Sequence, residues 1–255
     1  MQTKPLIEAH IIPKSFYAEN TQLISDTIPY IKRRPIGTYD SNILCYQCDS
    51  LVLGKLDDFA KKILIDRKGI IKETVSNPAF PLQTLSYYRL EDKAGYDMLN
   101  RFFISVLWRA SVSTQDDFSS FSLGSYEQLA KRAILDKSYN FHANFSIALC
   151  LLPNLEEPIH LFSPKRMRVE GINCYIAIIG FYKAIIRCDR RKLPLGLQAA
   201  TISPNNDILM IEKNLIHLPE HNMLRGMIKK VQQNKSLGGQ ILLFAFIHKR
   251  LHVWD

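Results

Sequence analysis

The sequence predicts an α+β fold, in which an N-terminal strand–strand–helix arrangement leads into a mixed domain of helices and mostly antiparallel sheet. Three observations predict it. Apolar residues recur at helical spacing over residues 94–112, short apolar runs of strand length crowd the chain from residue 141 onward, and the first 65 residues follow the order extended segment, loop, strand, helix. With 255 residues, 47% of them hydrophobic, the chain can bury one large core or two small ones. The expected division is a first domain over residues 1–75 and an α+β domain over 76–255.

The elements are expected in this order. Residues 5–16 read as a short extended segment ending at Pro13, and 17–34 as irregular, closing on Lys32-Arg33-Arg34. Residues 35–46 give a turn and a short apolar strand. From Asp49 a helix begins, with Leu53, Leu56, Phe59, Ala60, Ile63 and Leu64 on one face and Asp49 or Ser50 as N-cap. Strands over 70–75 and 82–90 flank a turn containing Pro78 and Pro81. The helix over 94–112 carries a core stripe of Leu99, Phe102, Phe103, Val106, Leu107 and Ala110. A helix over 126–136, strands over 145–152, 172–179, 181–188 and 207–212, a helix over 220–234 and a last strand or pair over 241–253 complete the expectation.

Charge is unevenly placed. Residues 160–255 hold 15 of the 33 basic side chains and 6 of the 24 acidic ones, so this stretch accounts for the whole formal charge of +9. Its densest clusters are Lys165, Arg166 and Arg168, then Arg187, Arg190, Arg191 and Lys192. Such clusters either contact phosphates, positioning a nucleic acid without reading its sequence, or form a solvated basic face. Among five cysteines, Cys150, Cys174 and Cys188 lie far apart in apolar segments and read as reduced thiols; Cys45 and Cys48 form a CxxC pair. No apolar run reaches spanning length and the first residues lack the pattern of a secretory signal, so a soluble cytoplasmic protein without a membrane partner is expected.

Four segments in the first 60 residues carry chemistry-bearing side chains: Ala9-His10-Ile11-Ile12-Pro13, Gly37-Thr38-Tyr39-Asp40, Ile43-Leu44-Cys45-Tyr46-Gln47-Cys48-Asp49 and Gly54-Lys55-Leu56-Asp57-Asp58-Phe59. Together they resemble the HNH, or ββα-metal, nuclease superfamily, and most of all bacterial HNH-like proteins with an AHIIP segment followed by ILCxxCD. The likeness covers about residues 6–64, and the segment FFISVLWRASVS at 102–113 resembles one that follows the nuclease part, without carrying chemistry.

The resemblance implies a metal-dependent endonuclease, with DNA favoured over RNA as substrate, of a kind often found as bacterial antiviral-defence or toxin-like effectors. Hydrolysis of a phosphodiester needs a base for the attacking water, for which histidine is suited near neutral pH, and a cation for the charge on phosphate and leaving oxygen. By this likeness His10 is the general base, and Asp49 the first choice of ligand for a magnesium- or manganese-type ion. Asp40 or Asn42 fills the central polar position: Asn42 has the usual residue type, Asp40 the commoner spacing. Asp57, eight residues past Asp49 and able to share its face, is a secondary ligand, and Asp58 stands beside it.

Two positions depart from the family pattern. Ala9 stands where many members have a metal-binding acid, for which the adjacent Glu8 is the substitute. The family's second CxxC is missing, so Cys45 and Cys48 are either half of a zinc site or a reduced structural pair. The sequence contains no P-loop, dinucleotide fingerprint or GxSxG elbow, which excludes the ATPase, nicotinamide-enzyme and serine-hydrolase readings they would support. The alternative is a catalytically inactive nucleic-acid-binding or scaffold subunit, with a protein partner or a second copy of the chain.

Overall fold

The computed structural model describes residues 5–17, 22–24, 31–33, 37–77, 80–152, 159–161, 163–205 and 209–212. The expected helix over 220–234 and last strands over 241–253 lie outside these. The fold is mixed α+β, as the periodicities predict.

Strands β1 (Leu6–His10) and β4 (Tyr39–Cys45) form a two-stranded antiparallel sheet, with Ala9 opposite Asp40 and His10 opposite Tyr39. The register slips between Ile7 and Ala9, so the regular alternation of side chains along β1 is interrupted at Glu8. Gly37 enters β4 at φ 86°, beneath the Tyr17 ring, where a Cβ would come within 2.5 Å of a ring carbon.

Helical backbone follows β4 directly: a π-type turn over Gln47–Leu53, α1 (Gly54–Ala60) and a second π-type turn over Lys61–Ile65. Leu53, Leu56, Ala60, Ile63 and Leu64 are buried along it, as the stripe predicts, while Phe59 is half-buried. The expected N-cap is replaced: Tyr46 already has helical angles, so Asp49 and Ser50 lie inside the helix.

The other strands are β2 (Gln22–Ile24), β3 (Ile31–Arg33), β5 (Ile70–Asn77), β6 (Phe80–Leu90), β7 (Phe145–Leu151), β8 (Ile159–Leu161), β9 (Lys165–Val169), β10 (Ile172–Gly180), β11 (Tyr182–Cys188) and β12 (Met210–Glu212). They make one ten-stranded sheet in the order β3-β2-β8-β10-β11-β7-β12-β6-β5, with β9 beside β10. Among the described residues only the β2–β8 and β7–β12 pairs are parallel. The stretch expected to be irregular therefore supplies two strands, and the first basic cluster, Lys165, Arg166 and Arg168, lies on strand β9. The expected boundary at residue 75 falls inside β5, and β2 from the first part pairs with β8 from the second.

The remaining helices are α2 (Gly95–Val112), α3 (Glu127–Leu135) and α4 (Leu195–Ala199). The stripe of α2 is buried, but so are Asn100, Arg101, Ile104, Ser105, Trp108 and Arg109. A helix covered on nearly every side is a central one: α2 packs on α1, α3 and the sheet. One core cluster joins Ala9, Leu56 and Phe102 to Ile147, Ala177 and Ile186 of the sheet, and each such Leu, Ile or Phe contributes about 1.5–3 kcal/mol by leaving water. Alternate residues of the same strands, among them Ala148, Cys174 and Ile185, pack on the opposite face. At Gly95 a Cβ would meet the Phe59 ring at 2.5 Å, which fixes how closely α2 approaches α1.

Candidate functional site

His10 closes β1 because Pro13 follows three residues later, and the chain then turns through Lys14–Phe16 into the core. Its side chain is half-buried, with its ring edge-on to Tyr39 at 6.1 Å between centroids. Its carbonyl oxygen accepts a hydrogen bond of 3.1 Å from Nη1 of Arg109.

Arg109 holds the site together. It comes from α2, is 0% exposed, and grips both carboxylate oxygens of Asp57 at 3.0 and 2.9 Å. Nη2 also donates to the Ser105 hydroxyl at 3.1 Å. A planar, permanently charged fork suits such a two-point grip, and burial strengthens it. One guanidinium thus fixes the end of β1 relative to α1.

Asp49 faces the same group. Burial raises its carboxyl above the ordinary carboxylate range; the charge of Arg109 pulls the other way, that of Asp57 adds to the rise and His10 pulls it down. The charges of Arg109, Asp57 and His10 thus all act on the Asp49 carboxyl. No described residue donates a hydrogen bond to the Asp49 carboxylate, whereas both oxygens of Asp57 are held. Asp58 and Glu8 stand exposed to solvent.

The two central candidates have different surroundings. Asp40 is fully buried, paired with Ala9 rather than with His10. One carboxylate oxygen accepts from Asn42 N–H at 2.8 Å, the other from the Ser113 hydroxyl at 2.9 Å and from Thr114 N–H at 2.5 Å, and the Thr114 hydroxyl reaches both. Burial pushes this carboxyl up, and the hydrogen bonds from Asn42, Thr114 and Ser113 outweigh it and leave it below its ordinary value. Asp40 thus ties β4 to the chain leaving α2. Asn42 is exposed and donates to the Thr114 hydroxyl at 3.3 Å.

Cys45 and Cys48 are half-buried thiols, not joined in a disulfide, and line an apolar groove with Ile43, Leu53, Trp108 and Ile134. Among the described residues no three His, Cys, Asp or Glu side chains stand close enough together to hold one ion. A closed zinc site needs four ligands, and the pair offers two. A magnesium-type ion is held by one or two carboxylates, with waters and substrate phosphates completing its shell. The open carboxylate of Asp49 fits that sparser requirement.

The basic clusters are only partly available. Arg187 is buried, donating to the Ser146 hydroxyl at 2.9 Å and to the carbonyls of Arg191 and His142. Lys165 is half-buried, and burial lowers its ammonium below the ordinary value. Arg166, Arg168, Arg190, Arg191 and Lys192 are exposed.

Sequence reasoning missed Arg109, although it falls on the core stripe of α2, seven residues after Phe102 and three after Val106. A charge at a core position calls for a buried partner, and here that partner is Asp57. No helix among the described residues is long and apolar enough to cross a membrane. No protein-family model, no curated protein and no solved structure matches the chain.

Proposed function

We propose that the chain is a metal-dependent, HNH-like endonuclease that hydrolyses phosphodiester bonds, with DNA the favoured polymer. The observation that carries this reading is the buried Arg109, which binds the His10 carbonyl at the end of β1 and the Asp57 carboxylate on α1 and acts by its charge on Asp49 in the helical turn between them. In this reading His10 takes the proton from the attacking water as the new phosphorus–oxygen bond forms and the bond to the leaving oxygen breaks. Asp49 holds the divalent ion, magnesium or manganese, whose charge stabilises phosphate and leaving oxygen. Asp57 acts through Arg109, which fixes the backbone at His10, and is a positioning residue rather than a ligand. Cys45 and Cys48 serve as a reduced structural pair beside the helix start. A role as a defence or toxin-like effector is compatible with such an activity and rests on the sequence resemblance alone.

One observation favours the alternative of a catalytically inactive binding subunit. Ala9, where the resembled proteins carry an acid, is 0% exposed and belongs to the apolar core cluster.

The two readings separate when purified protein is incubated with plasmid DNA and with structured RNA, in magnesium, manganese or chelator. Cleavage that needs metal supports the nuclease. Nucleic acid bound equally well in chelator and in magnesium, and never cut, supports the inactive subunit.

A further inference from the structure

We propose that one corner of the large sheet, where β9, β10 and the end of β11 meet, is a docking surface for the phosphate backbone of nucleic acid. For the identity of the polymer, this inference rests on the nuclease reading.

The corner gathers two clusters that lie far apart in sequence. Strand β9 runs antiparallel to β10 with Arg168 opposite Asn173 and Arg166 opposite Tyr175. Strand β11 runs antiparallel to β10 on its other side and brings Arg187 opposite Cys174, so residues 189–192 emerge beside the β9–β10 turn. The alternation of β9 sets Met167 and Val169 into the apolar layer and leaves Arg166 and Arg168 in solvent.

The corner is also braced. The Asp189 carboxylate is nearly buried; hydrogen bonds from the Arg191 guanidinium hold it well below the usual carboxylate range against its burial, helped by the backbone N–H groups of Asn173 and Arg191. Arg191 reaches across to the carbonyl oxygen of Gly171 in the turn at 2.9 Å, and Arg166 donates to the Asn173 side chain at 3.1 Å. These contacts fix two of the cations in place while their outer faces stay exposed. Arg168, Arg190 and Lys192 are exposed around them.

Against these five cations the same corner carries two acids, Glu170 and Asp189, and Asp189 is already spent on Arg191. An excess of exposed, mostly arginine charge suits phosphates, which guanidinium groups bind with two parallel bonds. It reads no bases, so the surface is indifferent to sequence.

The test uses the full chain carrying His10→Ala, in chelator, so that binding is measured whether or not the protein is a nuclease. A labelled duplex DNA and a single-stranded RNA are titrated against it and against the same chain with Arg168→Gln, Arg190→Gln and Lys192→Gln added. Binding should weaken at least ten-fold in the triple variant, and the slope of log affinity on log salt should fall by about three, one for each lost phosphate contact. An unchanged melting temperature verifies that the variant is folded, and Arg168→Gln alone gives a proportionate loss if the triple variant is not. Binding equal to that of the parent, no binding by the parent, or binding to phosphatidylglycerol vesicles without binding to either polymer would each overturn the proposal.

Discussion

Arg109 and Arg168 put the same side chain to opposite uses. Arg109 is fully buried in α2 and its donors meet Asp57, the His10 carbonyl and Ser105. Arg168 stands on the solvent side of β9, its charge open to whatever approaches. Arg101 and Arg187 belong with Arg109: Arg101 closes the end of α3 through the carbonyls of Ala133, Asp136 and Lys137. The difference teaches that positive charge in this chain is not one property. Buried arginines such as Arg109 hold backbone segments in place and their loss unfolds; Arg168, exposed, leaves the fold alone and its loss is felt only by a partner.

The largest expected effect follows from breaking the buried grip. Arg109→Ala leaves Asp57 unpaired and releases the end of β1, at a cost of about 3–5 kcal/mol in urea unfolding. A loss below about 1 kcal/mol, typical of surface pairs, would remove the distinction between the two arginine groups. Next comes Gly95→Ala, where the added methyl group meets the Phe59 ring; overpacking of this kind costs about 1–3 kcal/mol, read as a shift in unfolding midpoint.

Two carboxylates of the hairpin and helix respond to pH with opposite sign. The folded value of Asp40 is depressed, so its contribution is present above the ordinary carboxylate range and is lost as pH falls through the folded value. Asp40→Asn should therefore flatten the acid limb of a stability–pH curve. The folded value of Asp49 is raised, so deprotonating it costs stability as pH rises from the ordinary value through the raised one. Asp49→Asn is expected to be at least as stable as the parent at neutral pH while losing metal-dependent cleavage. Such a trade is common where a site is kept for function. A destabilised Asp49→Asn would show that the carboxylate serves the fold instead. The smallest effect on stability belongs to the sheet corner, where Arg168→Gln should stay within about 0.5 kcal/mol of the parent.

Much of this arrangement was legible in the sequence. The stripe of α2 has a helical period, and the apolar runs of β7, β10 and β11 are of strand length and rich in β-branched and aromatic residues. Strands β2, β3 and β8 have three residues each, too few to show a period, and they exist because neighbouring strands pair with them. In β9 the alternation is present in Lys-Arg-Met-Arg-Val, but with only Met167 and Val169 apolar it is too short to stand out from the charge run. The site divides in the same way. His10, Asp49 and Asp57 all fall within the part of the chain that the resemblance covers, whereas Arg109 lies outside it, 52 residues from Asp57, and only the packing of α2 on α1 brings them together. Asp40 likewise reads as a central polar residue, but its partners Ser113 and Thr114 lie beyond the far end of α2.

The most direct test of the account is the rate of plasmid cleavage in magnesium by the parent and by His10→Ala, with the two melting curves recorded side by side. The account predicts equal melting temperatures and a loss of about 100-fold or more in rate, the scale of a missing general base. Equal rates, or no cleavage by the parent in any divalent metal, would contradict it.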